Sequence, residues 1–275
     1  MKKILAIVLS LVMVMGLFAA CGNTTEPTKA STEATTEATT EATTEAATLQ
    51  TVKEGKLIMA TNAFFPPYEY FEGEQIVGID AEIAAAIAEK LGLELVIENM
   101  EFSSIITAVT TGAADFGLAG MTVTEKRKEQ VDFSISYASG VQSIIVKEGS
   151  PITSVDDLYA EGAAYKVAVQ LGTTGDIYAS DDFGSDLVTQ YNNGNEAILA
   201  LIGGDVDCVI IDNEPAKAFV AENEGLTILD TSYADEDYAA CIAKGNDELR
   251  AAIDQAILEL TEDGTIDAII AKYIK

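Results

Sequence analysis

From residue 56 onward, apolar runs of strand length alternate with segments whose apolar residues recur three or four apart, and this alternation limits the fold more than any other feature. Residues 56–60 read as a strand, and 79–91 as a helix with Ile83, Ile87 and Leu91 on one face. A strand over 93–98 follows. Ser103 or Ser104 can cap a short helix carrying Ile105, Ile106 and Val109, which Gly112 stops. Residues 114–119 make a third strand, a helix opens at Thr124, and 131–137 leads out of this first unit. A second unit repeats the pattern, with strands over 141–147, 166–170 and 206–211 and helices from Thr174, over 196–202 and over 215–222. A strand over 238–244 and helices over 248–260 and 266–273 close the chain. Alternating β and α implies parallel sheets covered by helices, hence an α/β fold, and two units of similar size imply two lobes with a cleft between them.

The first fifty residues do not share this pattern. Met1, Lys2 and Lys3 precede an apolar run of 17 residues over 4–20, which reads as a secretion signal and is short for a bilayer of about 30 Å. The small residues Ala19 and Ala20 before Cys21 resemble the lipobox of bacterial lipoproteins. That resemblance implies cleavage before Cys21, a lipid on its thiol, and a place on the extracytoplasmic face of the cell membrane. Residues 21–49 repeat Thr-Glu-Ala-Thr and read as a disordered tether, because they hold too few large apolar side chains to offset the entropy of ordering.

Charge and composition exclude several functions. The formal net charge is −29, most of it carried by residues 50–275, which argues against nucleic acid as a partner. The chain has no histidine, which removes His-based catalytic triads and most zinc sites. Neither a metal nor a cofactor is expected. Cys208 and Cys241 each sit in an apolar run and read as buried free thiols, with a disulfide left open.

Seven segments carry a more specific message. The stretch Gly78-Ile79-Asp80-Ala81-Glu82-Ile83 resembles the signature of the amino-acid-binding proteins that serve ABC importers, the bacterial extracellular solute-binding proteins of family 3. Residues 60–68, 100–102, 119–127, 131–134, 172–175 and 209–212 match the same family in the same order, so the resemblance covers essentially all of 53–275. It implies a two-lobed, periplasmic-binding-protein-like fold of type II with two hinge strands, crossing near Tyr137 and Ala138 and near Asp237 and Tyr238. Lobe 1 is then 50–137 with 238–275, and lobe 2 is 138–237. The partners it implies are a free amino acid and an ABC permease, the chain itself being a monomer.

A free amino acid is a zwitterion, and the resemblance supplies a group for each part. Arg127 clamps the carboxylate, since a planar guanidinium gives two parallel charge-assisted bonds. Thr122 assists, and so does the helix opening near Thr124. From the other lobe, Thr173 and Thr174 close on the same carboxylate. Asp212, at the end of an apolar strand, takes the ammonium with the carbonyl of Gly120. Phe65 and Phe102 sandwich the side chain. Asn62 and Gln170 select it, with Ile211 as an apolar wall, and the neutral amide of Asn62 favours an uncharged polar substrate such as glutamine or cystine over arginine or lysine.

Two other functions fit the same fold. One is an extracytoplasmic enzyme like the dehydratases of prephenate-type acids, which needs a positioned proton donor in the cleft. The other is a ligand-sensing module, usually fused to a membrane span and a signalling domain. Asp212 matched to an ammonium argues against the enzyme, and the single domain of this chain favours free-standing capture.

Overall fold

The computed structural model describes residues 49–230 and 232–274. The signal over 1–20, Cys21 and nearly all of the tether over 21–49 therefore lie outside the described residues. Strand β1 (Lys56–Thr61) leads into a small antiparallel sheet of β2 (Phe64–Phe65), β3 (Glu69–Glu72) and β4 (Gln75–Val77). At Gly78 the chain turns with φ 125°, and an added Cβ would lie 2.3 Å from the Tyr68 carbonyl oxygen, so only glycine fits. Helix α1 (Ile79–Leu91) follows, with Asp80 and Glu82 in its first turn, where the helix dipole favours acids, and a left-handed Gly92 at its end. Its Ile79, Ile83 and Ile87 are fully buried, each contributing about 1.5–3 kcal/mol. The first half continues through β5 (Glu94–Asn99), α2 (Ile105–Thr110), β6 (Phe116–Gly117) and α3 (Glu125–Lys128).

The long β7 (Val131–Lys147) carries the chain into the second half, built from β8 (Val167–Gln170), α4 (Thr174–Phe183), β9 (Val188–Tyr191), α5 (Gly194–Gly203), β10 (Cys208–Asp212), α6 (Asn213–Glu222) and β11 (Leu226–Ile228). A second long strand, β12 (Ala234–Ala243), returns to the first half, where α7 (Asp247–Glu262) and α8 (Thr265–Tyr273) pack. One mixed sheet runs β5-β1-β6-β12-β7-β10-β8-β9, with β11 on β7. Its two flanks, β5-β1-β6 and β10-β8-β9, are parallel, as strands joined through helices must be. The joins to and between β7 and β12 are antiparallel.

The sequence pattern splits 131–147 into two strands around the small residues Ala138, Ser139 and Gly140. In the structure they form one strand, because Ala138, Ser139 and Gly140 pair with Tyr238, Asp237 and Glu236 of β12. Gly140 is required by that pairing: a Cβ there would fall 2.0 Å from the Tyr238 hydroxyl oxygen. The expected strand over 114–119 shortens to two residues, since its remainder bends into the site. Cys208 and Cys241 are buried free thiols in different core clusters, and burial pushes each up to about 12. Among the described residues no helix is long and apolar enough to cross a membrane.

Candidate functional site

In open α/β sheets the ends of parallel strands leave a crevice where side chains from several loops converge. Here Asn62 follows β1, Gly120 and Thr122 follow β6, Gln170 ends β8 with Thr173 and Thr174 just beyond, and Asp212 ends β10. All seven line one narrow cavity, together with Phe65, Phe102, Ala119 and Glu69. Nine of the ten ligand-contact residues expected from sequence therefore share one wall. The tenth, Arg127, stands behind it.

Arg127 is buried, and its guanidinium carbon sits 5.4 Å from the centre of the Phe102 ring. Nη1 donates to the Thr122 carbonyl at 2.7 Å, and Nη2 reaches across to the Gly172 carbonyl at 3.0 Å. Those two bonds use two of its five N–H groups. No carboxylate of the described residues forms a salt bridge with it, and burial lowers its pKa against the opposing field of Glu236. Arg127 is thus a desolvated cation with donors to spare beside the cavity. At the start of the four-residue α3 the Arg127 backbone N–H donates to the Thr124 hydroxyl at 3.2 Å.

Around Thr122 a hydrogen-bond network joins the two halves. Its hydroxyl donates to Glu236 Oε2 at 2.9 Å and lies 3.4 Å from the Thr174 hydroxyl. Gln142 Nε2 donates to the same Glu236 oxygen at 3.0 Å. Thr173 caps α4, donating to the Gln170 carbonyl at 2.8 Å and accepting from the Asp176 backbone N–H at 3.3 Å.

At the side-chain end, Gln170 Nε2 donates to Asn62 Oδ1 at 3.0 Å, so the two residues assigned to selectivity also meet each other. Asn62 Nδ2 is held by the Met100 carbonyl at 2.8 Å, whereas Gln170 Oε1 has no partner. Ile211 is not in the wall; it packs in the main core instead, a correction to the sequence expectation.

The opposite end is acidic. Asp212 is buried and accepts from the Tyr238 hydroxyl, and its carboxyl is pushed up to about 7 by burial and by Glu236. Asp80, the acid of the Gly78-Ile79-Asp80 motif, accepts from the Gly120 backbone N–H at 2.7 Å and the Tyr137 hydroxyl at 2.8 Å, and burial pushes it up to about 6. Glu69 is fully buried and held well above the carboxylate range by burial, Asp80 and Asp212. Sequence reasoning missed Glu69, although a lone acid inside Tyr68-Glu69-Tyr70-Phe71 is a visible anomaly. No group of three or more metal-ligating side chains exists among the described residues.

These raised carboxyls have a stability consequence. A group that holds its proton more tightly when folded stabilises the fold while protonated, so stability falls as pH rises from the ordinary carboxyl value of about 4 through about 7. The urea midpoint of the ligand-free protein is expected to be higher at pH 5 than at pH 8. A midpoint that rises toward pH 8 would contradict this assignment of the acidic end.

Comparison with known proteins adds context to this geometry. The family model described as bacterial extracellular solute-binding proteins, family 3, matches residues 57–275. The arginine-binding extracellular protein ArtP of Bacillus subtilis is 32% identical over 79% of this chain and 86% of its own. The ABC transporter glutamine-binding protein GlnH of the same organism is 31% identical over 100% of this chain and 98% of its own. Among solved structures, an ancestral arginine-binding protein bound to glutamine superposes with a TM-score of 0.76 at 38% identity, covering 81% of this chain and 99% of that one. An ancestral arginine-binding protein bound to arginine gives 0.75 at 39% identity, with the same coverage.

Proposed function

Because the chain belongs to the bacterial extracellular solute-binding proteins of family 3, we propose that it captures a free polar α-amino acid between its two lobes and delivers it to an ABC importer. The observation that carries this reading is the polarity of the cavity. The desolvated Arg127 stands beside the wall residues Thr122 and Thr174, and the wall also carries the buried Asp212, so the site offers groups for both the carboxylate and the ammonium of a zwitterion. Binding without catalysis is the reading, in keeping with relatives named as binding proteins.

The lobes are 50–137 with 238–275, and 138–237, hinged where β7 and β12 pair at Ala138 and Tyr238. Ligand engages one lobe and the other closes on it. The contacts from Arg127 to Gly172 and from Gln170 to Asn62 are then those of closure. Selectivity rests on Asn62 and Gln170, whose neutral amides favour an uncharged polar side chain. A basic side chain is the second reading, supported by the faces of Phe65 and Phe102 and by relatives named for arginine. The protein works as a monomer, held at the membrane surface by a lipid on Cys21.

Calorimetric titration of the full chain with the twenty amino acids and L-cystine tests the proposal. At least one L-amino acid should bind at about 1 µM to 100 µM, which takes only about 5–8 kcal/mol. No binding tighter than about 1 mM to any of them would end it.

A further inference from the structure

Most buried carboxylates in proteins are satisfied by donors of the protein itself. Glu69 is not. It is 0% exposed, lines the cavity, and neither of its oxygens accepts a hydrogen bond from an amide or hydroxyl donor; its one hydrogen-bond partner is the carboxyl of Asp80. Its backbone is fixed by pairing with Phe65 across the small sheet. The neighbour it bonds is itself an acid. Asp80 gives one oxygen to Gly120 and Tyr137, and its other oxygen meets no amide or hydroxyl donor either. Asp212 is already engaged by Tyr238. Both are acids.

We propose that Glu69 is a second acceptor for the α-ammonium of the ligand, acting with Asp212 and the Gly120 carbonyl. This rests on the capture reading above. A primary ammonium carries three N–H donors, and three acceptors lie at the acidic end of the wall: Glu69, Asp212 and the carbonyl of Gly120. In the empty cavity one proton shared between Glu69 and Asp80 accounts for their bond through one oxygen of each, leaving one oxygen of Glu69 free for the ligand. The charge count agrees. Glu69, Asp80 and Asp212 gather here without a cation among the wall residues, so the ammonium of a bound ligand would be the one cation beside them. The consequence is discrimination: the site should prefer an amino acid over the same molecule without its α-amine by more than a single carboxylate would provide.

The test compares the full chain with its Glu69→Met and Glu69→Gln variants. The probes are L-arginine, L-glutamine and L-cystine against 5-guanidinopentanoate, glutaramate and 3,3′-dithiodipropionate, which lack the α-amine. For whichever pair binds, Glu69→Met should cut the preference for the amino acid by about tenfold or more, mainly by weakening the amino acid. Glu69→Gln, which keeps an acceptor, should fall between. Denaturant midpoints of the empty variants, measured beside that of the unaltered chain, show that the fold survives. Equal loss for both members of a pair, or no loss for either, would overturn the role of Glu69 while leaving amino-acid capture intact. If the unaltered chain binds none of the twenty amino acids or L-cystine, capture itself falls, and this assignment with it.

Discussion

Replacing Arg127 with alanine is expected to weaken amino-acid binding by about 100-fold or more, the largest effect of any single change at the site. The expected size follows from truncating one partner of a buried charge pair, which costs about 2–5 kcal/mol. Most of that is the penalty of leaving the ligand carboxylate desolvated and unpaired. Arg127→Lys separates charge from geometry. Lysine keeps the positive charge but cannot hold the Thr122 and Gly172 carbonyls and still offer a parallel pair of N–H groups. A loss of about tenfold or more is expected for it. Calorimetry measures both, with urea unfolding of the same samples to show that the fold survives. Unchanged affinity in the alanine variant would remove Arg127 from the carboxylate end.

Asp212→Asn is expected to have the next largest effect, again about 100-fold at pH 8, and it carries a pH signature. In the empty protein, burial and Glu236 push the Asp212 carboxyl up to about 7, against the stabilising hydrogen bond from the Tyr238 hydroxyl. The ligand's ammonium stays charged between pH 5 and 8, so the titrating partner is the protein. Below about pH 7 the ligand must displace a proton from Asp212, and affinity should fall by up to about tenfold per pH unit. The direction is a loss on acidification, the reverse of the stability trend of the empty protein. In Asp212→Asn the slope between pH 5 and 7 should flatten. A slope equal to that of the unaltered chain would place the titrating group elsewhere.

The helical periodicity of residues 79–91 was sufficient to place α1 to the residue, because Ile83 and Ile87 lie one turn apart and Gly92 can only end the helix. Strand signals were weaker. Phe116 and Gly117 alone pair in β6, since the flanking residues are pulled into loops by the site. The small β2-β3-β4 sheet was invisible because Pro66, Pro67 and the acids within it mask any alternation. Wall residues were legible where they sit in motifs that follow strands, such as Gln170 and Asp212. What sequence could not give was the pairing of β7 with β12. That register brings Gln142, Glu236 and Tyr238 to Thr122 and Asp212, and no local pattern encodes a contact between residues some hundred positions apart. Glu69 escaped for a different reason. Its character comes from what surrounds it, and an acid without donors can be recognised only in three dimensions.

In the proposed capture, closure and selection are one event. Arg127 and Asn62, from the first half of the sheet, touch Gly172 and Gln170 of the second. Each contact sits at one end of the cavity, so a ligand that misplaces either end opposes the approach of the halves.

The most direct test of the account is a crystal structure of the full chain with its tightest-binding L-amino acid. The account predicts the ligand inside the cavity, its carboxylate about 3 Å from the Arg127 guanidinium and its ammonium about 3 Å from Asp212. A ligand lying in the reverse direction, or bound outside the cavity, would contradict it.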